Sequence, residues 1–197
     1  MIHPNTALVK VSPTIGYGVI ATAPLPRGTL IYVRDTLEQV IAPDSEVMQC
    51  PILGPTLLTY AYRNSHGSFI VSWDHGKYVN HHCLPNTLAT AYDCEIVVRD
   101  IALGEAITTD YGLLNIMECL DHRCNTPQCR SIIREGFDWS LLPTWDPLVL
   151  DALQCLDVEK DVLFPLLDQK LQGELRALKA NPQAYRSISE RAMRPLP

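Results

Sequence analysis

The chain has 197 residues and a formal net charge of -6, with 47% hydrophobic and 19% charged residues. These values fit one domain with an appendage, or at most two small domains, and supply enough apolar side chains for a core. An acidic chain without a basic stripe argues against direct nucleic-acid binding, and the absence of an apolar run of ~18 residues argues against a membrane span.

The first two thirds of the chain favour short strands. β-branched and aromatic runs alternate there with glycine and proline, and helical periodicity is almost absent. Residues 34–56 look irregular, because Pro43, Pro51 and Pro55 oppose long helices. Strands are expected at residues 7–11, 18–21, 29–33, 57–62, 68–72, 95–99 and 106–109.

The pattern becomes helical after about residue 140. Apolar side chains recur at helical spacing over 146–156 and 162–178, with Pro165 near the start of the second helix. Asn181 and Pro182 suit the N-cap and first position of a short terminal helix. We interpret 139–197 as a helical extension that packs on the core and stabilises it.

Seven cysteines are present, and three of them form the run Cys119-x4-Cys124-x4-Cys129. The spacers are mostly polar and no secretory leader is apparent, so metal binding is favoured over disulfides or three unrelated buried thiols. Zn²⁺ takes four tetrahedral ligands. Cys83 is the first candidate for the fourth ligand, and His82 and His122 are the alternatives.

Three further segments carry polar or glycine-rich patterns. Gly16-Tyr17-Gly18 allows close backbone approach to a small ligand but lacks a dinucleotide-binding spacing. The segment 80–86, Asn-His-His-Cys-Leu-Pro-Asn, offers hydrogen-bonding groups, and a nucleophilic Cys83 is a weaker interpretation. Residues 104–112 resemble a hairpin ending in an Asp-Tyr-Gly turn.

Together these four segments resemble the SET-domain family of protein-lysine methyltransferases. Residues 80–86 match that family's Asn-His-Ser-Cys-x-Pro-Asn signature with His82 in place of serine, and 104–111 match its terminal Gly-Glu to Asp-Tyr segment. The cysteine run is similar to the family's post-SET zinc motif, although its first gap is wider. The resemblance covers about residues 8–133.

The resemblance implies a mainly β fold. Small SET-domain sheets with a pseudoknot would occupy residues 1–115, a post-SET-like zinc segment 116–138 and the helical extension 139–197. The pseudoknot would bring the Asn80-His81 segment beside Asp110-Tyr111.

The resemblance also implies S-adenosylmethionine-dependent methylation of lysine side chains. Tyr111 would be the catalytic residue. The cofactor-binding residues would be Gly16, Tyr17, Gly18, Tyr60, Asn80 and His81, and the ligands of a structural Zn²⁺ would be Cys83, Cys119, Cys124 and Cys129. Thr109 stands where many relatives carry the Phe or Tyr that sets the width of the lysine channel.

The expected partner is a basic protein with an accessible lysine, and no direct nucleic-acid or membrane contact is expected. An intracellular location is expected, cytoplasmic by default, and a nuclear or secreted-effector location stays open. The alternatives are a catalytically inactive SET-like module that binds basic peptides, a zinc-stabilised structural protein and, more distantly, a cysteine hydrolase.

Overall fold

A computed structural model describes residues 1–124 and 126–193 of the chain. Strands β1 to β12 in this part are Thr6–Ser12, Gly16–Ala21, Leu30–Val33, Gln39–Ile41, Ala61–Arg63, Phe69–Val71, Asn80–His81, Thr87–Ala89, Cys94–Val97, Thr108–Thr109, Leu120–Asp121 and Ile132–Ile133. Helices α1 to α4 are Glu46–Gln49, Leu53–Tyr60, Leu142–Cys155 and Gln169–Ala180. Short 3₁₀ helices are His75–Tyr78, Tyr111–Leu113, Trp139–Leu141, Phe164–Leu166, Pro182–Ala184 and Ile188–Arg191.

The strands form small sheets of two or three strands each. Antiparallel pairing gives β1-β2, β3-β9-β8, β4-β6-β5 and β11-β12, whereas β7 and β10 pair in parallel. Short antiparallel sheets need only tight turns between neighbours, which suits the dense glycine and proline of this region. The expected mainly β fold with a helical C-terminal part is confirmed.

One large hydrophobic core joins the sheet β3-β9-β8 to the C-terminal helices. Leu88 and Ile96 from the sheet lie in the same buried cluster as Trp145 and Val149 of α3 and Leu175 of α4. A second, smaller core lies between β2, β3 and the segment that leads into β10. The C-terminal helices therefore cover a face of the β part that would otherwise expose apolar side chains to water.

Two sequence predictions about single elements were wrong. Residues 57–62 were expected as a strand, but α2 extends to Tyr60 and only the last residues enter β5. A short apolar run does not distinguish a buried helical turn from a strand, and here Gly54 and Leu57 bury one helical face.

The helix expected over 162–178 begins later, at Gln169. Pro165 lies in a 3₁₀ turn, and the Asp161 carboxylate accepts hydrogen bonds from the backbone N–H groups of Leu163 and Phe164. Asp168 then caps α4 by accepting from the N–H of Lys170. The predicted Asn181 cap is confirmed, since its side chain accepts from the N–H of Gln183.

None of the helices that the structure describes combines the length and apolar character needed to cross a membrane.

Candidate functional site

The parallel pair β7-β10 forms the centre of the site. Asn80 lies opposite Thr108 and His81 opposite Thr109, and the N–H of His82 donates to the carbonyl of Thr109 at 3.0 Å. Asn86 anchors the same junction, because its side chain donates to the carbonyl of Ala106 and accepts from the N–H of Thr108. The Asn-His and Asp-Tyr segments therefore lie side by side, as the sequence resemblance predicts.

The Gly-x-Gly turn approaches the junction from β2. The Asn80 side-chain amide donates to the Tyr17 carbonyl at 2.9 Å. A Cβ at Gly18 would lie 2.8 Å from Asn80 Nδ2 and 2.8 Å from Val11 Cγ2, so both side chains would have to move to admit a larger residue. Gly16 adopts a φ of 80°, which favours glycine in the preceding turn.

Three tyrosine rings line the surface beside this contact. Tyr78 packs edge-on against Tyr17 and Tyr60, with ring centroids 5.8 Å and 5.3 Å apart. Tyr17 keeps 50% and Tyr60 37% of its surface exposed. The exposed rings next to polar backbone and the Asn80 amide form a surface on which a flat aromatic ligand can stack.

A cavity of about 390 Å³ is lined by both Tyr60 and Tyr111. Its walls are mostly apolar and aromatic, and its polar lining residues include Tyr62, Thr109 and Glu95. The Tyr111 hydroxyl donates to the Val79 carbonyl at 2.9 Å. Burial, with a smaller effect of Glu95, raises the pKa of Tyr111 to about 12, so the hydroxyl is protonated at neutral pH.

A buried ion pair holds the segment that carries Tyr111. Asp110 is fully buried and accepts two hydrogen bonds from the Arg130 guanidinium, at 2.6 and 2.9 Å. It also accepts from Trp145 Nε1 at 3.0 Å and from the N–H of Gly112. One carboxylate thus joins the Tyr111 turn, the cysteine-rich segment and helix α3.

His81 is buried and points away from the aromatic surface. Its Nδ1 accepts from the N–H of Tyr111 at 3.1 Å, so the proton of the neutral imidazole is assigned to Nε2, which lies 3.4 Å from Cys83 Sγ. Burial, aided by the nearby His122 and Arg130, lowers the pKa of His81 to about 3. A neutral His81 orients the Tyr111 backbone and the Cys83 thiol, and its imidazole is not free for an external ligand.

Three cysteine thiols form a cluster that could hold a metal. The sulfur atoms of Cys83, Cys124 and Cys129 all lie within 4.8 Å of one another. Backbone N–H groups point at two of them: Cys124 N–H donates to Cys129 Sγ at 3.3 Å, and Arg130 N–H donates to Cys83 Sγ at 3.4 Å. Such contacts favour thiolates, the form of cysteine that binds metal ions.

Cys119, the remaining predicted ligand, is exposed and does not belong to this cluster. Strands β11 and β12 close a loop that contains Cys124 and Cys129, and Cys119 precedes this loop. His122 lies inside the loop, where its N–H donates to Ser131 O, and its ring is 4.4 Å from that of His81. A ligand atom of His122 groups with Cys83 and His81 within the same 4.8 Å limit.

The structure brings most of the predicted residues together, and it adds several that the sequence did not single out. The aromatic surface is formed around Tyr17, Gly18, Tyr60 and Asn80. Tyr111 lines the adjoining cavity. Arg130, Trp145 and Glu95 were not predicted as site residues. Only Arg130 had a local signal, because it directly follows Cys129 in the motif.

Comparison with known proteins identifies the β part. Residues 16–112 match the family model of the SET domain. Residues 16–112 belong to the SET-domain family. The match ends before the cysteine loop. A search of curated proteins gave no match. Solved structures similar to this chain include a candidate histone methyltransferase of Plasmodium falciparum, which is 17% identical with a TM-score of 0.42, over 56% of this chain and 95% of the other.

Proposed function

We propose that this SET-domain protein transfers a methyl group from S-adenosylmethionine to lysine side chains of a protein substrate. The observation that carries the proposal is the arrangement around β7 and β10. A backbone-lined aromatic surface and a tyrosine-walled cavity adjoin one another there, and Tyr111 is one of the residues that line the cavity. When bound, S-adenosylmethionine supplies a methyl group already activated on a sulfonium, so the protein contributes orientation and electrostatics.

The aromatic surface is the proposed cofactor site. The Gly16–Gly18 backbone would line this site, and the open space beside Gly16, which has no side chain, leaves room for a ligand to approach the backbone. Asn80 would hold a polar end of the cofactor, and the exposed rings of Tyr17 and Tyr60 would pack on its flat base. His81 would contribute through its backbone, because its imidazole is engaged by Tyr111 N–H.

The cavity is the proposed lysine channel. A free lysine has a pKa of about 10.4, so only roughly one in 10³ is neutral at pH 7, whereas the attacking nitrogen must be neutral. Aromatic and apolar walls disfavour the ammonium form and increase the neutral fraction. The net charge of -6 supports a substrate with basic surroundings.

The cysteine loop over residues 116–138 is the proposed zinc-binding, post-SET-like segment. Cys83, Cys124 and Cys129 provide three ligands, and His122 fits as the fourth better than Cys119 does. His122 Nε2 is buried and has no hydrogen-bond partner in the part of the chain that the structure describes. The neighbouring His81 Nε2 carries a proton and is a donor to Cys83, which excludes it as a ligand in this tautomer.

Tyr111→Phe tests the catalytic assignment. We expect the variant to keep its fold and lose about 100-fold in methyl transfer, since a preorganised polar group at the reacting centre typically contributes that much. The measurement is incorporation of labelled methyl groups into lysines of a cell lysate, read by mass spectrometry. Tyr185→Phe is the matched control, because it removes a tyrosine hydroxyl that donates to Asp146 and does not line the cavity.

Full activity of Tyr111→Phe would overturn the role of Tyr111. Calorimetry with S-adenosylmethionine separates the enzyme from the alternative, an inactive SET-like module. Peptide binding without cofactor binding would favour the module.

Metal analysis tests the zinc proposal independently of activity. We expect one zinc per chain, retained in Cys119→Ser and lost in Cys124→Ser, with weaker retention against a chelator in His122→Ala. Loss of zinc from Cys119→Ser with full retention in His122→Ala would restore Cys119 as the fourth ligand.

A further inference from the structure

A carboxylate lies inside the cavity that we propose as the lysine channel. Glu95 of β9 lines this cavity together with Tyr62, Thr109 and Tyr111. Its Cα lies between the buried residues Cys94 and Ile96, so the alternation of the strand directs this one side chain toward the cavity. Glu95 thus presents a carboxyl group to a cavity whose walls are mainly apolar, and the other charged side chains that line the cavity are Arg63, Lys77 and Glu118.

The carboxylate has few partners of its own. Glu95 Oε2 has a single long contact, 3.5 Å from Thr87 Oγ1. Burial raises the pKa of Glu95, and the positive charge of Arg191 together with weak side-chain contacts from Thr109 and Thr87 offsets this only in part. Within residues 1–124 and 126–193, no basic side chain forms a salt bridge with it.

A second polar group in the same cavity is also unsatisfied. Thr109 is 3% exposed, and its Oγ1 has no hydrogen-bond partner in the part of the chain that the structure describes. A buried hydroxyl with no partner of good geometry and a buried carboxylate with only weak contacts leave hydrogen-bonding capacity unused, which typically costs about 1–3 kcal/mol for each lost hydrogen bond. A hydrogen-bond-donating cation that enters the cavity would satisfy both groups.

We propose that Glu95 receives the cationic end of the target side chain and accepts its proton before methyl transfer. This proposal rests on the proposed lysine methylation. The N–H bond of the lysine ammonium breaks, its electron pair stays on nitrogen, and the proton forms an O–H bond with the Glu95 carboxylate. Thr109 Oγ1 holds the resulting neutral amine by a hydrogen bond.

The environment of Glu95 suits this exchange. A buried carboxylate binds a proton more strongly than an exposed one, and a buried ammonium releases its proton more easily, so burial brings the two groups closer in basicity. The titratable and charged groups around the carboxylate are Tyr62, Tyr111, Glu38 and Arg191. The charged side chains of Arg63, Lys77 and Glu118 also lie on the cavity wall. Both tyrosines keep their protons at neutral pH, because burial raises their pKa values.

Glu95→Gln keeps the size of the side chain and removes its charge and basicity. At pH 7 we expect about a 100-fold loss of methyl transfer, within the range that general bases contribute. The loss should shrink as pH rises from 7 to 9.5, because a growing share of lysine is then already neutral in solution. Glu135→Gln, the same change at an exposed position, is the control.

A binding measurement separates this inference from the proposed function. We expect n-butylammonium to bind the wild-type protein more tightly than n-butanol in ligand-observed NMR, and Glu95→Gln to lose this preference. An active wild type whose Glu95→Gln variant has equal activity, or a parallel pH profile, would overturn the proton-accepting role. Equal binding of both fragments would overturn cation binding, whereas an inactive wild type that keeps the ammonium preference would overturn only the methyltransferase proposal.

Discussion

At the scale of single residues, Asp110 determines where Tyr111 lies. Its carboxylate is fully buried and is compensated by one bidentate guanidinium, one indole N–H and one backbone N–H. Burying a carboxylate without such partners would cost several kcal/mol. The two parallel hydrogen bonds between Asp110 and Arg130 also fix the relative orientation of the two side chains. This single carboxylate connects the Tyr111 turn, the cysteine loop and helix α3.

We expect Asp110→Asn to lower the free energy of unfolding by about 3 kcal/mol. The change preserves volume but leaves the half-buried Arg130 guanidinium without a compensating charge. Urea unfolding monitored by circular dichroism measures the effect. Asp151→Asn, which removes the solvent-exposed ion pair with Arg27, is the matched control and should change stability little. Equal effects of the two substitutions would contradict the special role of Asp110.

Sequence reasoning found the parts of the site that lie within motifs. Gly18, Asn80 and Tyr111 stand in short segments whose residue types suggest their contacts. Glu95, by contrast, looks like one polar position in an ordinary strand, because the cavity it faces forms only when β5, β9 and the Tyr111 turn meet. Trp145 likewise contacts Asp110 across 35 residues of chain, and no local pattern encodes such a contact.

At the scale of elements, the parallel pair β7-β10 depends on close approach of the β1-β2 hairpin. Local propensity predicted this hairpin correctly, since Gly16 permits its tight turn and β-branched residues flank it. It did not predict α2, because Pro51 and Pro55 obscure a helix that begins between them and has proline in its first turn. Proline is tolerated in the first turn of a helix, where its missing N–H has no partner within the helix. Counting prolines therefore led to the wrong expectation that no helix begins before residue 57.

Gly18→Ala tests the contact between the hairpin and β7. An added methyl group would lie 2.8 Å from Asn80 Nδ2, so we expect a loss of about 1–3 kcal/mol of stability and weaker cofactor binding. Thermal unfolding and calorimetry measure the two effects.

The matched control is Gly173→Ala in α4. No atom lies within 4 Å of the position that its Cβ would occupy, and its φ is not positive. The substitution should therefore raise stability by about 0.5–1 kcal/mol through helix propensity. If Gly18→Ala were as well tolerated as Gly173→Ala, the hairpin would not pack on Asn80 as described.

At the scale of the whole molecule, the C-terminal helices and the β part share one core. The cluster that contains Leu30 and Ile96 continues through Trp145 and Leu178 to Ala192. Polar contacts cross the same boundary: Asn115 donates to the carbonyl of Arg191 and accepts from the N–H of Met193. Neither part can bury its apolar face without the other, so their stabilities are coupled.

We therefore expect the two parts to unfold in one transition. Two variants with a single tryptophan test this: one keeps Trp73, next to Asp35 in the β part, and the other keeps Trp145 in α3. In each variant the midpoint of urea unfolding by tryptophan fluorescence should coincide with the midpoint by far-ultraviolet circular dichroism, which reports mainly on α3 and α4. An earlier loss of helical signal in the Trp73 variant, with its fluorescence still native, would show that residues 139–193 unfold as an independent unit. Coincident midpoints in both variants would mean that a substitution in the distant helices, such as Leu175→Ala, also weakens the fold that holds Tyr111 in place.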